Sequence, residues 1–182
     1  MNRIEIIERE DANVVIAPLY DAVHQKLGLI PNMVKALGNS SAALKSYLNQ
    51  SAAVAGGVLR PSTREKIALL VAEYNECDYC LSAHTAIGGL LKIPSDELSD
   101  AREGKSGNAK EQAILKLTHE VLHTRGAVSE ETFTEVKNSG VTDEEAIEVV
   151  ANVAENMFTN YFNRFADTEI DFPKVESGAC VV

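Results

Sequence analysis

The chain has no tryptophan, only three cysteines and five prolines, and no block of positive charge in its 182 residues. Three cysteines cannot build the disulfide framework that staples small secreted domains, so a Cys-x-x-Cys pair here calls for a chemical account, catalytic or metal-binding. Lysines and arginines number 17 against 27 acidic residues, a formal net charge of -10, and they are scattered singly. That balance lacks the footprint needed to neutralise phosphates, and nucleic acid is not an expected partner. No apolar run approaches the ~18 residues of a membrane span. The segment from Met1 to Glu10 is too charged for a signal-peptide core. A cytoplasmic protein that does not enter membranes is the expectation.

Alternating runs of β-branched residues are missing as well, whereas Leu, Ala, Val and Ile recur at three- and four-residue spacing. The expected class is all-α, and 45% hydrophobic residues are enough to bury the core of a single domain over 1–182. After a start that reads as extended from Ile4 to Ile7, Pro18 to Leu27 forms a first helix stopped by Gly28 and the turn at Ile30-Pro31-Asn32. Short helices follow to Ala55. Gly56, Gly57 and Pro61 then break the chain before a helix from Ser62 to Asn75, whose stretch Ile67 to Ala72 is apolar on every side and therefore central. Asp78 or Asn75 is the expected cap of the next helix, which runs to Leu91, and a short helix follows from Pro94 to Arg102. Ser106 to Asn108 is a turn before Ala109 to Thr124, closed by Gly126. Ser129 opens a helix to Lys137, and Thr142 to Glu145 is a capping box that opens a last long helix to Ala166.

Cys77, Cys80 and His84 stand three and four residues apart, within about 60° of one helical face. Helical neighbours at this spacing have Cβ atoms ~5–6 Å apart where a disulfide wants ~3.5–4.5 Å, so the pair closes only with local adjustment. A helix N-terminus favours a thiolate. If the flanking helices pack as an antiparallel pair turning near Glu76, Glu65 lies level with His84 and can orient its imidazole or accept its proton. Glu65 is also the fourth residue of Ser62-Thr-Arg-Glu65, itself a capping box, and local sequence leaves the two roles open.

Two alternatives use metal. Cys77, Cys80 and His84 could belong to a structural zinc site, although a second ligand pair at recognisable spacing is missing. His119-Glu-Val-Leu-His123 matches the metalloprotease pattern, but the third ligand of the longer form falls at Ser129, and both histidines equally suit one side of an amphipathic helix. Cys180 is third from the C-terminus, where prenylation needs the fourth, and reads as an incidental thiol.

The stretch Arg64-Glu65-Lys-Ile-Ala-Leu-Leu-Val-Ala, followed by Asn75-Glu-Cys77-Asp-Tyr79-Cys80-Leu-Ser-Ala-His84, resembles the core of the AhpD-like and carboxymuconolactone decarboxylase superfamily. The pattern is Glu, eleven residues, Cys-x-x-Cys, three residues, His, with the redox motif inside 62–91. Flanks from Leu27 to Asn32 and from Asn163 to Pro173 extend the likeness toward the peroxidase-related, alkylhydroperoxidase subgroup. The resemblance implies an all-helical fold assembled as homotrimers or homohexamers, and a cysteine peroxidase without cofactor. Carried over by position, Cys80 attacks the peroxide, Cys77 resolves the sulfenic acid, and Glu65 with His84 relays protons. A dithiol, thioredoxin-like or lipoyl, restores the pair. Tyr79 is a departure, because characterised alkylhydroperoxidases have a second histidine there and tyrosine titrates too high to replace it as a base. The decarboxylase branch lacks the cysteine pair. The runner-up readings are a disulfide oxidoreductase using the same cysteines and a non-enzymatic metal-binding or structural module.

Overall fold

The computed structural model describes residues 2–178, and Cys180 lies outside them. The described residues form helices only: α1 Ala17–Leu27, α2 Asn32–Leu37, α3 Ser41–Ala55, α4 Pro61–Tyr74, α5 Asp78–Leu90, α6 Ser95–Arg102, α7 Ala109–Thr124, α8 Glu130–Asn138 and α9 Asp143–Ala166. The all-α expectation holds. The segment Ile4 to Ile7 forms no strand; it runs irregularly, with Arg3 N–H donating to Ala166 O (2.7 Å) and Ile7 N–H to Lys35 O (3.3 Å).

The centre of the molecule is α4. Ile67 to Ala72 are each at most 2% exposed, as expected of a helix apolar all round. One side of α4, through Leu69, Leu70 and Ala72, belongs to a cluster that takes in Tyr20, Val34, Leu44, Leu81 and both Cys77 and Cys80. Its other side, through Ile67 and Val71, packs with Ile114, Leu117, Val121, Val136, Val149 and Val153. Each such aliphatic side chain contributes roughly 1.5–3 kcal/mol by leaving water, so α4 is fixed from two directions at once.

Polar anchors set its register. Lys66 is buried and reaches Glu111 on α7 (2.8 Å) and Glu97 on α6 (2.6 Å), while Thr63 Oγ1 donates to Glu111 (3.1 Å). Removing one member of such a buried network costs about 3–5 kcal/mol, since the other charge is left unpaired. The long α9 opens with the expected capping box, Thr142 Oγ1 accepting from Glu145 N–H while Glu145 accepts from Thr142 N–H.

Candidate active site

The site begins with a sharp reversal. After Tyr74 the chain passes through Glu76 in the left-handed region (φ 51°), and Cys77 N–H returns to Ala72 O at 2.9 Å. This turn lays α5 back along α4 and brings residues 19 positions apart together, with His84 Nδ1 2.8 Å from Glu65 Oε2. The capping-box reading of Glu65 is overturned. Pro61, whose fixed φ suits the first helical position, starts α4 one residue early, the N-cap is Arg60 without a side-chain cap, and Ser62 lies inside the helix.

Neither Asn75 nor Asp78 caps α5. Cys77 does: its backbone is non-helical (φ -101°, ψ 89°) and its Sγ accepts from Cys80 N–H at 3.3 Å. Leaving helical geometry at one end is the adjustment that lets the pair close, with Cα atoms 5.3 Å apart across the Cys77–Cys80 disulfide and within the usual span. Asp78 and Asn75 are used elsewhere, Asp78 accepting from Ser177 N–H and Oγ–H and Asn75 Nδ2 donating to Val71 O and Asn160 Oδ1.

Around the imidazole the structure adds residues that sequence reasoning missed. Burial opposes charge on His84, but Glu65, with help from Glu155 and the Asn156 side chain, outweighs it and holds the imidazole above its usual pKa. Burial also raises Glu155, against the pull of Ser51 and His84. The Tyr47 phenol is pushed up by burial and by the two glutamates. His84 is thus bonded to the Glu65 carboxylate of α4 and feels the charge of Glu155 on α9.

The sulfurs have their own polar neighbour on α9. Asn163 Nδ2 donates to Cys80 Sγ (3.4 Å) and to Met33 Sδ (3.2 Å). Asn163 ends a ladder of buried asparagines, Asn152, Asn156, Asn160 and Asn163, along the inner face of α9. Their spacing of four, four and three is the one available signal: a polar row at helical period in an otherwise apolar segment. A cavity of about 290 Å³ is lined by Cys77, Tyr79, Asn163 and Thr168 among others. Asn163 Oδ1 and Thr168 Oγ1 are buried without a hydrogen-bond partner, at a cost of roughly 1–3 kcal/mol each.

A strap following α9 covers the start of α5. Tyr79 Oη donates to Asp171 Oδ1 (2.8 Å), Val175 N–H to Ser82 Oγ (2.9 Å) and Gly178 N–H to Glu73 Oε1 (2.8 Å).

Residues 41–120, which include Glu65, Cys77, Cys80 and His84, match the model of the carboxymuconolactone decarboxylase family. The fold is also that of an uncharacterised peroxidase-related protein with an alkylhydroperoxidase AhpD core from Ralstonia eutropha JMP134. The TM-score is 0.85 at 22% identity, covering 93% of this chain and 92% of that one. Residues 41–120 thus resemble the carboxymuconolactone decarboxylase family, and the chain has the AhpD-like fold. Two further structures share the fold. One is a peroxidase-related protein from Silicibacter sp. TM1040, with TM-score 0.79, 19% identity and coverage of 91% and 88%. The other is the debrominase Bmp8 in its apo form, with TM-score 0.78, 22% identity and coverage of 92% and 91%; a cysteine-to-alanine variant of it is known in complex with 2,3,4-tribromopyrrole. No curated protein matches the chain by sequence.

In this AhpD-like chain Tyr79 is a fixed structural group. It is 5% exposed, accepts from Met33 N–H at 3.2 Å and donates to Asp171. Burial drives its phenol far up, with Asp171 adding to the effect and Met33 N–H opposing it, so it stays protonated. The second histidine motif lies apart from the site on α7. His119 and His123 are stacked with ring centroids 5.9 Å apart, while Glu120 Oε1 accepts from the N–H of Ser129 (2.6 Å), the α8 N-cap. Among the described residues no group of three His, Cys, Asp or Glu side chains is arranged to hold a metal, and none of the helices is long and apolar enough to cross a membrane.

Proposed function

We propose that this AhpD-like protein is a cofactor-free thiol peroxidase acting on hydrogen peroxide or organic hydroperoxides. The reading rests on one observation: the Cys77–Cys80 disulfide shares a helical hairpin with a half-buried His84–Glu65 pair whose atoms are 2.8 Å apart. In the reduced protein His84, one turn beyond Cys80, takes the thiol proton and Glu65 steadies the imidazolium, as base and orienter must. The Cys80 thiolate attacks one peroxide oxygen. An S–O bond forms, the O–O bond breaks, and the leaving oxygen takes the proton from His84. Cys77 then attacks the sulfenic sulfur, water leaves, and the disulfide results. The Asn163 amide supports the charged form of Cys80.

The test pairs two variants. Cys80→Ser should abolish peroxide consumption, whereas Cys77→Ser should still form a sulfenic acid at Cys80 that a dimedone-type probe traps. Labelling of Cys77 in an active Cys80→Ser protein would reverse the roles. Structural similarity to a debrominase favours one second reading, in which the same pair delivers two electrons to a halogenated ring, releasing bromide and becoming the disulfide. Bromide release from 2,3,4-tribromopyrrole without peroxide consumption would select it. A disulfide substrate for the same cysteines predicts neither product.

The proposal includes a homo-oligomer, trimer or hexamer. On α9 the residues Ile147, Val150, Phe158, Tyr161 and Phe165 are exposed in the single chain, forming an apolar stripe at helical period of the kind that marks contact sites.

A further inference from the structure

The thiol chemistry leaves one motif unused, His119-Glu-Val-Leu-His123 near the end of α7. Residues four apart on a helix are neighbours, with Cβ atoms ~5–6 Å apart. Here the two imidazoles stand side by side, their centroids 5.9 Å apart and their planes 9° from parallel. Apart from each other, neither ring has a hydrogen-bond or ion-pair partner among the described residues, so each neutral ring keeps one nitrogen lone pair free. His123 is exposed and His119 half-buried, which leaves both side chains room to turn. Two imidazoles sharing a tetrahedral dication at ~2.0–2.1 Å per nitrogen have centroids roughly 5 Å apart. The adjustment needed is about an ångström, within reach of the side-chain torsions.

The rest of the metalloprotease pattern is used elsewhere. Glu120, in the place of the general base, accepts from Ser129 N–H at 2.6 Å. Ser129 stands where the longer pattern has its third ligand, and its Oγ accepts from Thr132 N–H at 3.2 Å as the N-cap of α8. Base and third ligand are thus both tied up in building α8, and a pair of ligands without hydrolytic machinery remains. The electrostatic setting favours a cation. Glu120, Glu131 and Glu135 all act on Lys116, about one turn before His119, and Lys116 is itself paired with Glu135. The C-terminal end of a helix adds partial negative charge.

We infer that His119 and His123 hold a divalent transition-metal ion of the copper, nickel and zinc class, as a two-imidazole chelate whose remaining positions are filled by water. Imidazole selects this class, whereas Mg2+ and Ca2+ take oxygen ligands. Affinity follows the usual order for nitrogen sites, with Cu2+ bound more tightly than Ni2+ or Zn2+. No third His, Cys, Asp or Glu joins the pair among the described residues, so the ion sits at the surface and exchanges with solvent. The site lies on α7, outside the α4–α5 hairpin that carries the thiols, and it stands whether or not the peroxidase reading does. The ion acts as a clip over the last turn of α7. It binds the helical spacing of the two rings better than the unfolded chain, and so stabilises the fold by mass action.

The probe is Cu2+ alone, titrated calorimetrically into the full chain with Cys77 and Cys80 oxidised and with Cys180→Ser, so that no thiol competes. One ion per chain is expected, with a paramagnetic resonance spectrum that shows nitrogen coupling. His119→Asn and His123→Asn should each weaken binding by roughly tenfold or more, because the second imidazole acts at high effective concentration. His24→Asn should leave the affinity unchanged. In thermal melts, saturating Cu2+ should raise the Tm of the parent, and the rise should vanish in either variant, whereas Mg2+ at the same concentration leaves the parent unmoved. Both rings lie at the surface without hydrogen bonds, so the variants should keep the parental far-UV spectrum. An absence of Cu2+ binding overturns the inference. So does an affinity that neither substitution changes, which would mark an adventitious ion only.

Discussion

Replacing Glu65 with glutamine tests the proton relay with little change of shape. Glu65 does not cap α4, whose N-cap is Arg60, so no capping energy is at stake. What changes is the bond to His84, 2.8 Å long between side chains 22% and 17% exposed. A charge-assisted bond contributes about 1.5–3 kcal/mol and a neutral one about 0.5–1.5, so the fold should lose on the order of 1 kcal/mol. In a chain of this length that lowers Tm by roughly 2–4 °C. Turnover should fall far more, by ~10² to 10⁴, the usual consequence of losing a positioned proton acceptor. The stability difference should also depend on pH with a definite sign. In the parent, burial works against the imidazolium, but Glu65 prevails and raises His84 above the ordinary histidine pKa. A raised histidine stabilises the fold fully below its unfolded pKa and loses that contribution as pH rises through the folded one. The Tm gap between parent and Glu65→Gln should therefore be widest near pH 6 and narrow toward alkaline pH. Peroxide turnover, thermal melts across pH 6–9 and the alkylation rate of Cys80 measure all three effects. A Glu65→Gln protein with parental turnover would refute the relay and leave His84 acting alone.

Asn163→Leu removes a buried amide whose carbonyl oxygen has no partner, so thermal melting should show little loss of stability, while iodoacetamide labelling of Cys80 at neutral pH slows because the donor at 3.4 Å is gone. Tyr79→Phe strands Met33 N–H and one oxygen of Asp171, and chemical denaturation should register a loss of roughly 1–3 kcal/mol. The double variant Tyr161→Glu, Phe165→Glu should keep the parental far-UV spectrum and sediment as a smaller species than the parent. An unchanged sedimentation coefficient would place the subunit contact away from α9.

Much of the helical order was legible because its punctuation is local. Gly28 in the left-handed region, Asn108 and Ser129 as N-caps and the Thr142 box each act within four residues of where they stand. The meeting of Glu65 with His84 could be read for the same reason, as two helices and one turn at Glu76 suffice. Misreadings occurred where one local signal overrode another. Proline at the first helical position displaced the Ser62 capping box, and a cysteine took an N-cap that Ser, Thr, Asp and Asn usually fill. What α9 and the strap bring to the site was out of reach, since Asn163 meets Cys80 across 83 residues and Asp171 meets Tyr79 across 92. No periodicity encodes which long-range pair will form. The asparagine ladder was visible as a pattern, but only tertiary packing gives it a partner.

The strap from Thr168 to Gly178 also imposes an order in time. Glu65, Cys77, Cys80 and His84 emerge from the ribosome well before Asp171, Val175 and Gly178, which hold the start of the redox helix in place. At about 5–20 residues per second the delay is roughly five to twenty seconds. During that interval the nascent chain carries the whole hairpin without the segment that holds the start of α5, so the redox residues precede their own fastening.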